Sequence, residues 1–247
     1  MANEDKKAKR LKKWHQKWWG IIFLLLLSMG LLYIGTFIYQ FIILVEAQAQ
    51  INLQNPDFSS SVSIGTDSRS FIETKDDPFL GQEKADIVIV EFSDFQCPFS
   101  KEAYPVLKKI SQEYQTTVKI IYRDIPNLIN HPDALNASLA ADCAAEQKKF
   151  WEYHDLLFDN QADLSLENLK LLAAKLNLNM SQFDQCLDSQ KYLSEVQNDL
   201  QDGLQLGITG TPTFFINGAK VAGVIPYETF KLVIEKLKQD MAGANNQ

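Results

Sequence analysis

The chain has 247 residues and a formal net charge of −7, which suits one domain of ordinary size with additional segments. The charge is uneven: in the first twenty residues Lys6, Lys7, Lys9, Arg10, Lys12, Lys13 and Lys17 oppose only Glu4 and Asp5, a net +5 that leaves −12 for the remainder. An acidic body lacks the cation-rich surface that displaces phosphate counterions, which argues against nucleic acid as a partner.

Residues 1–17 form the basic segment, and an apolar run without a charged side chain follows from Trp18 to Val45. About 20 apolar residues cross the hydrocarbon layer, so this run is long enough to span it with some tilt. Trp14, Trp18 and Trp19 at the near end and Tyr39 toward the far end stand where interfacial anchors belong. The positive-inside rule then predicts a single-pass anchor in the cell membrane, with a cytoplasmic N-terminus and an extracytoplasmic body. The rival reading is a cleaved signal peptide, because Ala47-Gln48-Ala49 has cleavage-site spacing; the run is longer than a normal signal core. Residues 46–75, rich in Gln, Asn, Ser and Asp, read as a flexible linker. A folded body is expected over 76–241, with a tail at 242–247.

Within the body, Asp86-Ile-Val-Ile-Val-Glu-Phe92 is short and β-branched, the pattern of a strand buried on both faces. Ser93 to Gln96 form a turn, Pro98 stands at a first helical position, and Phe99, Ala103, Val106, Leu107, Ile110 and Tyr114 share one face of a helix. Val118 to Tyr122 is the next strand, so strand, helix and strand make a parallel crossover unit. Residues 133–208 read as helical throughout. Phe150, Trp151, His154, Leu157 and Phe158 form one apolar stripe, read as core rather than a cofactor site. Ser181 with Asp184 resembles a capping box, and Tyr192, Val196, Leu200 and Leu204 recur every four residues. Thr213 to Ile216 is a strand, Asn217-Gly218 a hairpin turn and Lys220 to Ala222 its partner; Pro226 opens a last helix. The expected fold class is α/β: a β-α-β unit, a helical block, then β-β-α.

Chemistry concentrates at Cys97-Pro98-Phe99-Ser100, between a buried strand and a helix. The first amides of a helix lack intrahelical partners and its dipole places partial positive charge there, which favours a thiolate over a thiol. The alternative is an inert, buried, small hydrophobe. Three cysteines, 97, 143 and 186, leave one pair and one free thiol in an exported chain. His15, His131 and His154 show no ligand spacing, so neither a metal nor a cofactor is expected.

Three segments in one order resemble the DsbA-like branch of the thioredoxin superfamily: Glu91 to Ser100, Ala144 to Trp151, and Gly210 to Gly218. The resemblance covers about residues 77–240 and implies a thioredoxin-like fold with a helical insertion at about 133–208. It further implies a cis peptide bond at Thr211–Pro212 facing the Cys97 sulfur, in a loop that offers backbone groups to an extended substrate peptide. Glu91 matches a semi-buried acid that handles protons near the thiol; a plain charge at a strand end is the other reading. Cys143 and Cys186 match a second, structural disulfide of exported relatives, against two separately buried thiols. Thr211, Pro212 and Phe99 are the expected substrate-binding residues.

The departure is Ser100, where the family carries its second Cys. Serine neither forms nor resolves a disulfide, although its hydroxyl could hydrogen-bond the Cys97 thiolate. The expectation is therefore a monothiol thiol–disulfide oxidoreductase, isomerase or reductase rather than dithiol oxidant, with Cys97, Pro98, Ser100 and Glu91 at its catalytic site. Its expected partners are exported proteins with cysteines and a redox partner or small thiol. The alternatives are a non-catalytic chaperone or peptide-binding module and a glutathione-linked transferase. Catalysis requires Cys97 close to Pro212 and not sealed in the interior.

Overall fold

The computed structural model describes residues 72–74 and 77–244, together with Leu27. The expected basic segment, membrane span and most of the linker lie outside the described residues. Among the described residues, no helix is long and apolar enough to cross a membrane. All elements below belong to one compact unit, Val62–Gln247.

Five strands form one sheet in the order β1-β3-β2-β4-β5. Strand β2 (Ile87–Ser93) is buried along its whole length and pairs in parallel with β3 (Val118–Asp124). On its other side β2 pairs antiparallel with β4 (Thr213–Ile216), which pairs with β5 (Ala219–Ala222). A short β1 (Phe79–Gly81), absent from the sequence expectation, closes the far edge against β3. Asn217 and Gly218 both take positive φ, 46° and 87°, as the tight hairpin turn requires.

Alternation along β2 sorts its side chains onto two faces. Ile87 and Ile89 meet Ile120, Phe214 and Ile216, covered by helices α1 (Pro98–Glu113) and α7 (Tyr227–Ala244). Val88, Val90 and Phe92 pack on the other face with Ile121, Phe215 and Ile72. Each such fully buried aliphatic or aromatic side chain contributes about 1.5–3 kcal/mol. Ile72 is thus core, and the expected linker ends before residue 75; likewise the last helix continues to Ala244, past the expected boundary at 241.

Between β3 and β4 come α2 (Ala134–Ala145), α3 (Phe150–Asp159), α4 (Leu166–Lys175), α5 (Met180–Asp188) and α6 (Leu193–Gln205). The expected helical block is therefore five helices. Left-handed residues at Lys148, Asn177, Gln190 and Gly207 end four of them. At each, the following amide donates back to a carbonyl five residues earlier, as Lys149 to Ala144 and Lys191 to Cys186. The cap of α5 is Asn179, which accepts from Gln182 N–H, and not Ser181, which lies inside the helix. Strict spacing by four also misleads in α6: each step overshoots the 3.6-residue turn by 40°, about 120° by Leu204. Leu204 is accordingly 75% exposed, while Val196, Asp199 and Gly203 form the buried face. A disulfide joins Cys143 of α2 to Cys186 of α5, with Cα atoms 5.8 Å apart.

Candidate active site

Cys97 is the residue at which the β2 turn becomes helix α1. Its backbone is extended (φ −71°, ψ 124°), Pro98 follows at the first helical position, and its carbonyl accepts the first helical bond from Lys101. The side chain does not cap the helix, and the first turn carries no acidic residue to offset the positive end of the dipole. Instead Sγ donates to the carbonyl oxygen of Thr211 at 3.2 Å. The Thr211–Pro212 bond is cis, and Pro212 is buried directly before β4. The two segments therefore meet, because β4 runs antiparallel to β2 with Phe92 opposite Thr213.

Cys97 is only 5% exposed, but it sits at a rim rather than inside the core. Pro98 and Phe99 beside it are exposed, Phe99 by 59%, and Thr211 is half-buried. Ser100 is fully buried, and its Oγ accepts from the Asp94 amide at 3.4 Å. Asp94 is thus the partner that the structure records for this hydroxyl, where the sequence suggested the Cys97 sulfur.

The turn before Cys97 is held by polar residues that the motif reading passed over. Asp94 is fully buried; its Oδ1 accepts from Gln96 N–H and its Oδ2 from Asn127 N–H, with His131 Nδ1 2.7 Å from the same Oδ2. Gln96 and Asp133 exchange hydrogen bonds, the side chain of Gln96 both donating and accepting. Gln161 Nε2, after α3, donates to the carbonyls of Phe95 and Cys97. An Asp two residues before a turn amide was the one local signal for this arrangement.

Glu91 lies on β2 opposite Tyr122 and Phe214, nearly fully buried. Burial pushes its carboxyl up to about 8, while the nearby Ser93 hydroxyl acts in the opposite direction. Its Oε1 has no hydrogen-bond partner among the described residues, and neither do Ser93 Oγ, Tyr122 OH or His154 Nε2. On the opposite face of β3, Arg123 bonds Asp199 and Asp202 and lies 3.3 Å from Asp77. Asp77, Glu195 and Asp199 bring carboxylate oxygens within 4.8 Å of one another, a donor set that a cation would suit; Arg123 already supplies positive charge to two of them.

A thioredoxin family model matches residues 73–236. Alpha-DsbA1 from Wolbachia pipientis superposes with a TM-score of 0.61 at 27% identity, over 71% of this chain and 97% of that one. Oxidised BdbD from Bacillus subtilis superposes with a TM-score of 0.60 at 25% identity, over 67% of this chain and 94% of that one. The fold is thus mixed α/β, thioredoxin-like and of DsbA type with a helical insertion. In sequence, the chain is 35% identical over 151 residues to a Na(+)/H(+) antiporter, NhaA 3 of Salinispora tropica, covering 61% of this chain and 23% of that protein. The chain spans about a quarter of the length of the antiporters it matches, so the likeness concerns a segment of them.

Proposed function

The chain belongs to the thioredoxin family, and from that premise we propose that it is a thiol–disulfide oxidoreductase of monothiol type acting on cysteines of exported proteins. The observation that carries the proposal is the placement of one sulfur: Cys97 Sγ stands at the N-terminus of α1, 3.2 Å from the Thr211 carbonyl of the cis-proline loop.

In this reading the Cys97 thiolate attacks one sulfur of a substrate disulfide. A bond forms between the two sulfurs, the substrate bond breaks, and the second substrate sulfur leaves as a thiolate. The positive end of α1 stabilises charge on Cys97 before attack and after release. The Thr211 backbone next to Pro212 holds the substrate extended, as an added strand, with Phe99 as an apolar contact. Ser100 cannot resolve the mixed disulfide, so a thiol of the substrate or a separate small thiol attacks it and regenerates Cys97. Isomerisation and reduction fit that sequence of steps; donating a stored internal disulfide does not. Glu91 serves as the buried proton-handling acid.

The proposal includes a membrane anchor at 18–45 with the body outside the cytoplasm, supported by the basic segment and the uncharged apolar run. Refolding of a scrambled-disulfide substrate in a thiol buffer should quicken with the protein and fall to the uncatalysed rate with Cys97→Ala. Equal rates for both proteins would sink the catalytic reading. A binding module is the second reading, favoured by exposed Phe99, Leu128 and Ile129, the latter two in the segment that Asp94 ties to the active-site turn. It predicts suppression of aggregation that survives Cys97→Ala and is lost in Phe99→Ser. A glutathione-linked transferase would instead carry a glutathione adduct on Cys97, visible by intact mass.

A further inference from the structure

A cavity of about 190 Å³ opens between α1, α3 and the sheet, with Glu91 of β2 in its lining. Its lining includes Leu80, Tyr104 and Trp151, with Glu91, His154 and Asp155 as polar groups. Two of those carry buried polar atoms without a partner among the described residues: Glu91 Oε1 and His154 Nε2. Unsatisfied buried polar atoms are costly, and a cavity several times the ~30 Å³ share of one liquid water, largely apolar in its lining but with these two atoms facing it, accommodates solvent at its polar side.

The imidazole's tautomer follows from its other contact. His154 Nδ1 lies 3.2 Å from Asp155 Oδ1, and Asp155 is paired with Lys108 at 2.7 Å. A carboxylate only accepts, so Nδ1 carries the hydrogen and Nε2 presents a lone pair. Burial holds the ring below its usual basicity, with Asp155 pulling the other way and Lys108 reinforcing burial. The titratable groups around the ring are Tyr104 and Lys108 from α1, Tyr122 from β3 and Asp155 from α3, with Glu91 from β2 on the same cavity; the rings of Phe95, Phe150, Trp151 and Phe158 pack against it. Of these, the Glu91 carboxyl and the Tyr122 hydroxyl each have a proton to give and an oxygen without a partner among the described residues, and of the two it is Glu91 that lines the cavity with His154.

We propose that His154, oriented by Asp155, is a second proton-handling residue of the site, its Nε2 accepting from the protonated Glu91 carboxyl through water held in this cavity. The assignment rests on the oxidoreductase reading for its purpose, and on the geometry of Glu91 and His154 for its existence. A proton leaving Cys97 reaches the Glu91 carboxylate. From the Glu91 carboxyl it passes by way of cavity water and His154 Nε2 to solvent at the Lys108–Asp155 side, where both side chains are exposed in part. The ring takes this proton at Nε2 and releases its Nδ1 proton on the Asp155 side; in the reverse step a proton returning to Nδ1 from solvent, with loss of the Nε2 proton to cavity water, resets the tautomer, so no group is consumed.

The test is an infrared pH titration of the buried carboxyl, its band identified by loss in Glu91→Gln. An accepting Nε2 stabilises the protonated acid, so His154→Phe should lower the Glu91 midpoint by about half a pH unit or more. His154→Gln, which keeps an acceptor, should leave it close to wild type. A packing role predicts the opposite sign for His154→Phe, because the apolar ring dries the cavity and raises the midpoint. A rise, or no change, overturns the proposal; should the Phe variant fail to fold, His154→Leu is read in the same way. Alkylation of Cys97 against pH, followed in parallel, should move in the opposite direction to the Glu91 midpoint, because a carboxylate that ionises earlier disfavours a nearby thiolate. Cys97 that resists alkylation at every pH would sink the oxidoreductase reading, while the infrared midpoint still decides the role of His154.

Discussion

Tyr122 and Arg123 are neighbours on β3 and project into two buried polar clusters of opposite character. Arg123 is 1% exposed and surrounded by Asp77, Asp199 and Asp202; Asp199 also accepts from the Asp124 amide, and Ser138 donates to the Asp124 carboxylate. One guanidinium there faces three carboxylates, and its burial is outweighed by Asp199 and Asp77. One residue back, Tyr122 adjoins Glu91, Ser93 and His154, and each of the four keeps a buried polar atom without a partner among the described residues. The first arrangement is what stability requires of a buried charge. The second costs stability, and a fold retains such a cost where protons or solvent must come and go. The Arg123 cluster joins β3 to α6; Glu91 and His154 of the other line the cavity between α1, α3 and the sheet.

That contrast can be broken or sharpened by substitution. The largest effect is expected at Arg123→Met, which strands several buried carboxylates and should cost about 3–5 kcal/mol in urea unfolding at neutral pH. A cost under about 1 kcal/mol would mean that the cluster is not the structural one. Glu91→Gln should act with the opposite sign. The folded carboxyl is raised from 4.5 to about 8, so the unfolded chain ionises first. Wild-type stability then falls as pH rises through that window and levels off above it. Gln does not titrate, so the variant should gain on wild type by about 1.4 kcal/mol per pH unit, roughly 3 kcal/mol between pH 4.5 and 7. A difference flat across pH 5–8 would place the Glu91 carboxyl in an ordinary environment. The smallest effects form a matched pair. Ser138→Ala removes a bonded buried hydroxyl and should cost about 1–3 kcal/mol; Tyr122→Phe removes an unpartnered one and should be neutral or slightly stabilising. Equal costs for the two would erase the distinction between the clusters.

Much of the fold could be read along the chain because it is encoded by local pattern. The unbroken β-branched run of β2, the Asn217-Gly218 turn and the Pro98 start of α1 depend on neighbours in sequence. The Cys97–Pro212 pairing came by resemblance rather than by periodicity, since 115 positions separate the two residues. What local pattern misjudged was set by packing. Leu204 is apolar yet exposed because α6 turns Asp199 inward to Arg123. Ser181 has cap chemistry yet lies inside α5, because Asn179 already accepts from Gln182.

The sequence by itself determined the order of elements, the reactive cysteine and the missing second thiol, since these are properties of residue identity and short-range spacing. Tertiary structure alone decided which polar residues matter. His154 stands in an apolar helical stripe and is indistinguishable there from core. Only the folding of α3 against β2 and β3 places its free nitrogen on the same cavity as an unpartnered carboxyl. Hydrogen-bond satisfaction is a property of three-dimensional neighbours, and no spacing along one strand or helix records it.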